Sequence, residues 1–438
     1  MREKNAPLDL NKILKFWVLV TASVTPLIYL PIGGILNPYF PKLVFLIVIF
    51  IILIMTGILC WRQIFDSAVF DTENKLLAVY YLLLIASAFF AYDRATALFG
   101  SFYRFEGLLT LTVYFVIFLC ARRTDSLSRS FILLILSSAV LIALHAIMQK
   151  YGLDPVPQHM YPENLSRQAF SSMGNPNHLG TYMVLLIPFA AYWYIDKDMK
   201  SGFLIYCILF FALLCSNTRG SWIGFFAGFC AYGYLKLRTD RENASVKKKM
   251  VRLTAVSAVL ILVYSMSFEN GIIFRFLSIF VDLSKLLSGS EDSYMGGSNR
   301  IYIWMRVIEL IGMHPLFGVG IDNLGDVFMM FFEYDTVAKF KLSDAAYFSK
   351  AHNEYLHIAV SSGIPSLLVY ISFVFVIFKK SAGRISESGI YLPITVSIIG
   401  FYTVGFFNNT VLMFAYLLWI FLGFACSRKT IQYADKTG

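Results

Sequence analysis

Four ionisable residues stand at the edges of apolar stretches in this 438-residue chain: Arg104, Arg219, Arg300 and His352. Arg219 lies in Ser216-Asn-Thr-Arg-Gly-Ser221, between two apolar runs, and Arg104 lies in Arg104-Phe-Glu-Gly107, just before one. Arg300 opens a segment of helical period. His352 lies in Ala351-His-Asn-Glu-Tyr-Leu-His357, at the mouth of another apolar run. Arginine stays charged and meets phosphate oxygens with a planar fork of donors, so two or three converging arginines point to a diphosphate or another polyanion. Histidine near neutral pH accepts a proton from a hydroxyl. Together they suit displacement of a diphosphate leaving group by an alcohol, with the arginines offsetting the charge that develops. A glycan on a polyprenyl diphosphate meets this demand, its lipid tail in a bilayer and its sugar facing the loops.

Each of these residues also has a structural reading. Arg219 would sit at a membrane interface or in an internal pair, and Arg300 and Arg306 would solvate a helix. Arg104 would pair with Glu106. His352 would bond Glu354 or cap a helix. Asn175-Pro-Asn-His178 reads first as a helix-start signal and second as part of a substrate path. Arg104, Asn177, His178, Arg306, Asn353 and His357 are the candidate substrate-binding positions around a catalytic set of His352, Arg219 and Arg300. His357 follows His352 by one and a half helical turns and is expected to point elsewhere, as a supporting residue. No metal or cofactor is expected. Asp322, Asp326, Glu333, Asp335 and Asp344 are spread along a loop that reads as a solvated cap, and Glu291-Asp292 is a weak pair in a turn.

The elements that must position these residues are membrane spans. Apolar residues make up 58% of the chain and charged residues 15%, far fewer charges than a soluble protein carries. A span takes about 20 mostly apolar residues. Twelve are expected, at 13–31, 42–60, 76–92, 107–120, 130–148, 178–195, 201–216, 218–235, 252–268, 353–378, 390–406 and 409–425. Re-entrant hairpins are the alternative at 216–218 and 406–409. The first stretch continues through Pro31, Gly33 and Gly34 with no small-residue cleavage site, so it reads as a retained span. One alternating set of connections, with both termini, carries 24 of the 37 Lys and Arg residues. The positive-inside rule puts that set in the cytoplasm and Arg104, Arg219, Arg300 and His352 together on the outer side. The net charge of +10 then reflects topology and anionic lipid headgroups, and no nucleic acid is required.

Two outer segments stand out. The first, 149–177, is rich in Pro, Asn, Ser and Gly. The second, 269–352, is too long for a plain connection. It begins with an apolar piece, Ile272–Leu287, and breaks at Ser288–Gly297. A helix follows over Arg300–Met313, with Ile303, Val307, Leu310 and Ile311 near one face, and His314-Pro315 stops it. The expected organisation is a transmembrane bundle at 1–268, an extracytoplasmic cap loop with amphipathic helices at 269–352, and further spans with a short cytoplasmic tail at 353–438. A transporter is the non-enzyme alternative. It predicts a two-half repeat and charges deep in several spans, and neither is visible.

The same residues carry a family signature. The chain resembles the O-antigen ligase and O-antigen polymerase superfamily, which includes bacterial protein O-oligosaccharyltransferases. The resemblance rests on Arg104-Phe-Glu-Gly107, Gly174-Asn-Pro-Asn-His-Leu-Gly180, Ser216-Asn-Thr-Arg-Gly-Ser-Trp-Ile-Gly224, Gly297-Ser-Asn-Arg-Ile-Tyr-Ile-Trp304, His314-Pro-Leu-Phe-Gly-Val-Gly320, Ala351-His-Asn-Glu-Tyr-Leu-His357 and Ser362-Gly-Ile-Pro365. It covers roughly 75–425 and is strongest over 215–370. It implies an all-α, GT-C-like membrane fold and an undecaprenyl diphosphate-linked glycan as donor. It also implies metal-independent, inverting transfer. Arg219, Arg300 and His352 match the family's essential arginines and histidine. The acceptor would be a lipid A core sugar, another glycan repeat, or a protein hydroxyl.

Overall fold

The computed structural model describes residues 9–60, 71–102, 104–161, 168–240, 243–268, 300–340 and 348–434. The apolar piece Ile272–Leu287, the break Ser288–Gly297, Glu291-Asp292 and Asp344 lie outside the described residues. So do Arg2, Lys4, Arg62, Arg241 and Lys436 of the charge pattern.

Helices dominate. In chain order they are α1 (Leu10–Val24), α2 (Phe40–Leu59), α3 (Thr72–Phe89), α4 (Arg94–Phe99), α5 (Leu108–Ala121), α6 (Arg129–Lys150), α7 (Pro176–Ile195) and α8 (Lys200–Cys215). Then come α9 (Arg219–Thr239), α10 (Ala244–Ser267), α11 (Arg300–Met313), α12 (Leu324–Phe340), α13 (Glu354–Gly383), α14 (Tyr391–Val404) and α15 (Leu412–Ala425). A helix lies over each of the twelve apolar stretches. Five of these helices, α2, α6, α7, α10 and α13, are long and apolar enough to cross a membrane by length and composition. Four more, α5, α8, α14 and α15, are apolar but shorter. The starts of α1, α3, α6, α7, α10 and α13 are set by side chains that accept otherwise unpaired N–H groups of the first turn: Asp9, Asp71, Ser128, Asn175, Asn243 and Asn353 respectively.

Burial sorts the helices into layers. Every residue of α15 is buried, and α7 is enclosed along its length. The outer helices turn apolar side chains away from the protein, as α2 does with Val48, Ile51, Met55 and Ile58. A contiguous apolar surface of this kind suits lipid. At the centre α9 packs along α14. Gly220, Gly224 and Gly228 line that seam at a spacing of four, the small-residue spacing that lets membrane helices approach closely. A Cβ on Gly224 would lie 2.3 Å from Val404 Cγ2 and 2.8 Å from the Gly400 carbonyl.

α13 is broken. Gly363 has φ +90°, and a Cβ there would meet the Leu316 carbonyl at 2.1 Å. The carbonyls around the break are taken up by the preceding loop: Val319 N–H donates to Val360 O (2.8 Å) and Gly320 N–H to Ser361 O (3.1 Å). Ile364 N–H in turn donates to Pro315 O (2.8 Å). Irregular backbone within a membrane helix is tolerated where protein satisfies it. Two of the quoted motifs, His314–Gly320 and Ser362–Pro365, are thus the two halves of one docking joint. Above it α11 and α12 form a small core of their own, with Ile303, Val307 and Leu310 packed on Phe328, Phe332 and Val360. This is the face expected for the segment after Arg300.

Candidate functional site

Three turns converge at one end of the bundle. Arg219 is the first residue of α9, after the tight link from Ser216 to Thr218. Ser216 Oγ donates to Leu213 O (2.6 Å) and bonds Thr218 Oγ1 (2.9 Å). Gly180 on α7 lets this link approach, because a Cβ there would stand 2.4 Å from Thr218 Oγ1. Arg300 is the first residue of α11, which is anchored by Trp304 Nε1 donating to Ala351 O (2.9 Å). That bond fixes the helix beside the turn carrying His352. Asn353 caps α13, its side chain accepting from Leu356 N–H (3.1 Å), and Glu354 N–H donates to Gly405 O (2.7 Å).

Arg219, Arg300 and His352 line one cavity of about 470 Å³. Lys150 at the end of α6, Gln168, Asn175, Asn177 and Asn217 complete its polar wall. No carboxylate lines it among the described residues. Burial and the neighbouring Arg219 charge push Arg300 down to about 10. Burial, helped by Arg300, Arg104 and Lys350, pushes His352 down to about 4. At neutral pH the cavity therefore holds guanidinium groups beside an uncharged imidazole, which is a seat for a polyanion next to a proton acceptor. No three His, Cys, Asp or Glu side chains gather as a metal-ligand set among the described residues.

The other candidates divide. Asn177 lines the cavity. Arg104 lies close enough to act on His352, and its Nη1 donates to Tyr39 OH (3.1 Å) with the guanidinium over that ring. It does not pair with Glu106. His178 does not line the cavity. It is buried, with Nδ1 at 3.2 Å from Met173 O and its ring against Tyr39 and Phe414. Asn353 is occupied as a helix cap, and its Nδ2 donates to Phe406 O (3.3 Å). Arg306 points into the cap, donating to Glu309 (2.7 Å) and Asp335 (2.6 Å) and resting on Phe332. His357 faces Lys350, with Nε2 at 3.3 Å from Nζ.

Residues 204–371 match the family model described as O-antigen ligase. The matched stretch is under half of the chain; it supports the O-antigen ligase and polymerase superfamily, and together with the apolar helices it fits a multi-pass membrane protein. No curated protein matches the chain. The matched O-antigen ligase segment runs from α8 into the first part of α13. It holds Arg219, Arg300 and His352, while Arg104, Lys150 and Asn177 approach the cavity from outside it.

Two residues passed over in the sequence matter here. Lys150 joins the cavity wall. Asp322 is not on a solvated surface: it is 3% exposed, and its Oδ2 accepts from Ser101 N–H (2.8 Å) and Ser101 Oγ (2.9 Å). Its apolar surroundings, Ile321 and Val319, were the available signal. Backbone strain marks the same region. Of the six non-glycine residues with positive φ among the described residues, Phe105, Asn217, Asp322 and His352 all sit in the turns that build the site. Such strain persists where surrounding contacts hold it.

Proposed function

We propose that this protein transfers a preassembled glycan from undecaprenyl diphosphate to an acceptor hydroxyl. The reaction takes place on the outer face of the bacterial cytoplasmic membrane, with both termini inside. The observation that carries this reading is the shared cavity of Arg219, Arg300 and His352. Arg219 and Arg300 clamp the diphosphate. The acceptor oxygen attacks the anomeric carbon from the face opposite the leaving group, the bond to the diphosphate oxygen breaks, and the hydroxyl proton passes to the neutral imidazole of His352. The anomeric configuration inverts. The arginines gain most from the charge that accumulates on the departing diphosphate, so their stabilisation is larger in the transition state than with bound donor. The GT-C-like arrangement is what the family resemblance implies, and the helices over the twelve expected stretches and the expected charge pattern are compatible with it and with a site outside.

The test is the glycan profile of cells carrying His352→Ala, with protein level checked. Long glycan left on its lipid carrier is the expected result and assigns ligation to a separate acceptor. Collapse to single repeat units would assign a polymerase instead. A normal profile would overturn the role given to His352.

A further inference from the structure

Two residues before His352, Lys350 is buried, its side chain 5% exposed. Its Nζ lies 2.6 Å from Glu106 Oε2 and 3.2 Å from Asp322 Oδ1, as well as facing His357. Glu106 Oε1 accepts from Leu412 N–H at the start of α15 (2.7 Å). Glu106 N–H donates to Asp322 Oδ2 (3.4 Å). One ammonium thus joins the segment before α5, the turn before α12, and α13, and through Glu106 it reaches α15. Burial opposes the Lys350 charge, but Glu106 and Asp322 outweigh it and hold its pKa up. With one cation between two carboxylates, burial pushes Glu106 up as well. The ammonium also borders a cavity of about 80 Å³, room for several waters. Tyr114 OH, Ser361 Oγ and His357 Nδ1, three buried atoms without a hydrogen-bond partner among the described residues, belong to residues lining it.

We propose that Lys350 is the positioning residue of the candidate site: its ion pairs with Glu106 and Asp322 lock the left-handed turn at His352 so that the imidazole lines the cavity with Arg219 and Arg300. The inference rests on the reading of His352 as the proton acceptor. The turn itself argues for it. His352 has φ +49°, a conformation uncommon for a non-glycine residue and kept by the contacts around it. Asn353 fixes the following side as a cap and Lys350 the preceding side. The ammonium also sits where it repels a proton on His352. The charged groups acting on that imidazole are Arg300 from α11, Arg104 from the segment before α5, and Lys350. His178 on α7 and His357 on α13 lie within its field.

The test uses the full chain with Lys350→Met, and with Lys350→Met combined with Glu106→Gln, since the single change leaves two carboxylates buried with no cation. The His352 imidazole is titrated by NMR in purified protein, and transfer is measured with a lipid-linked glycan donor. In the double variant we expect the titration midpoint to rise by about one unit or more. The turnover rate should fall more than about tenfold, with donor KM within about threefold. An unmoved midpoint, or a wild-type turnover rate in an enzyme that needs His352, would reduce Lys350 to a fold-stabilising ion pair. Transfer that survives His352→Ala would instead overturn the proposed function, and the titration alone would then decide the role of Lys350.

Discussion

At the start of α9, Arg219 shares a cavity with Arg300 and His352; at its other end Lys236 is held by Asp196 and Asp240. α13 repeats the contrast. The turn before α13 presents His352, and the far end of α13 gives Lys380 to Glu73. Beyond the far end of α5, Arg122 is bound by Asp71 and Asn74, with Cys426 O accepting from its Nε (3.0 Å). One end of the bundle thus matches its cations with the protein's own carboxylates. At the other, Lys350 is matched in the same way by Glu106 and Asp322, while Arg219 and Arg300 line a cavity with no carboxylate in its wall among the described residues. Bringing like charges together near a low-dielectric interior costs free energy unless something of opposite sign arrives. The first arrangement is suited to holding helices, the second to receiving an anion.

Several substitutions would break or sharpen this contrast. The largest effect is expected at the cavity. Arg219→Ala, Arg300→Ala or His352→Ala should each lower transfer by about a hundredfold to a thousandfold while leaving thermal stability near wild type. Activity losses that follow unfolding instead would erase the distinction between the ends. Arg122→Ala should do the reverse. Unfolding in detergent should show a loss of about 3–5 kcal/mol, as for other buried pairs that lose one partner, with transfer per folded molecule unchanged.

Next in size is the response to an anion. Inorganic diphosphate at about a hundred times its Kd should stabilise the protein by about 2.7 kcal/mol. Arg219→Gln combined with Arg300→Gln should abolish the shift in a thermal melt. The pH profile of kcat/KM should keep its plateau well below the ordinary histidine range. Activity should fall only as pH drops through about 4, where His352 takes a proton. An acid limb near 6.5 would place His352 in an exposed, unperturbed setting. The smallest effect belongs to Arg306→Ala, whose pairs with Glu309 and Asp335 are partly exposed. It should cost under about 1 kcal/mol and leave transfer within about threefold.

Much of this arrangement was legible in the residue order. Apolar run length located the helices, and the helical period of Ile303, Val307 and Leu310 located the buried face of α11. Asn175-Pro176 announced the start of α7. Arg219, Arg300 and His352 stood out because charge beside an apolar run needs a reason. What was hidden depended on folding over long sequence distances. Arg104 and Glu106 are neighbours in sequence, yet the first meets Tyr39 and the second meets Lys350. Asp322 looked like one acid among several in a polar loop, but its turn is drawn into the bundle. Arg306 and His178 have the right residue types and the wrong direction, and direction is set by packing. The seam of Gly220, Gly224 and Gly228 could have been read from spacing alone.

The break in α13 bears on how the chain is assembled. A straight helix can enter a bilayer by itself, because its backbone is already paired. α13 cannot do so at no cost: until the loop at Leu316–Gly320 arrives, the Val360 carbonyl lacks its Val319 partner and the Ser361 carbonyl has only Ser87 Oγ. Each unmet polar group in hydrocarbon costs several kcal/mol. The loop precedes the helix in the chain and so is made first. It is ready to receive the helix as the helix emerges, which makes the His314–Gly320 motif an internal insertion partner for the span that carries His352 at its head.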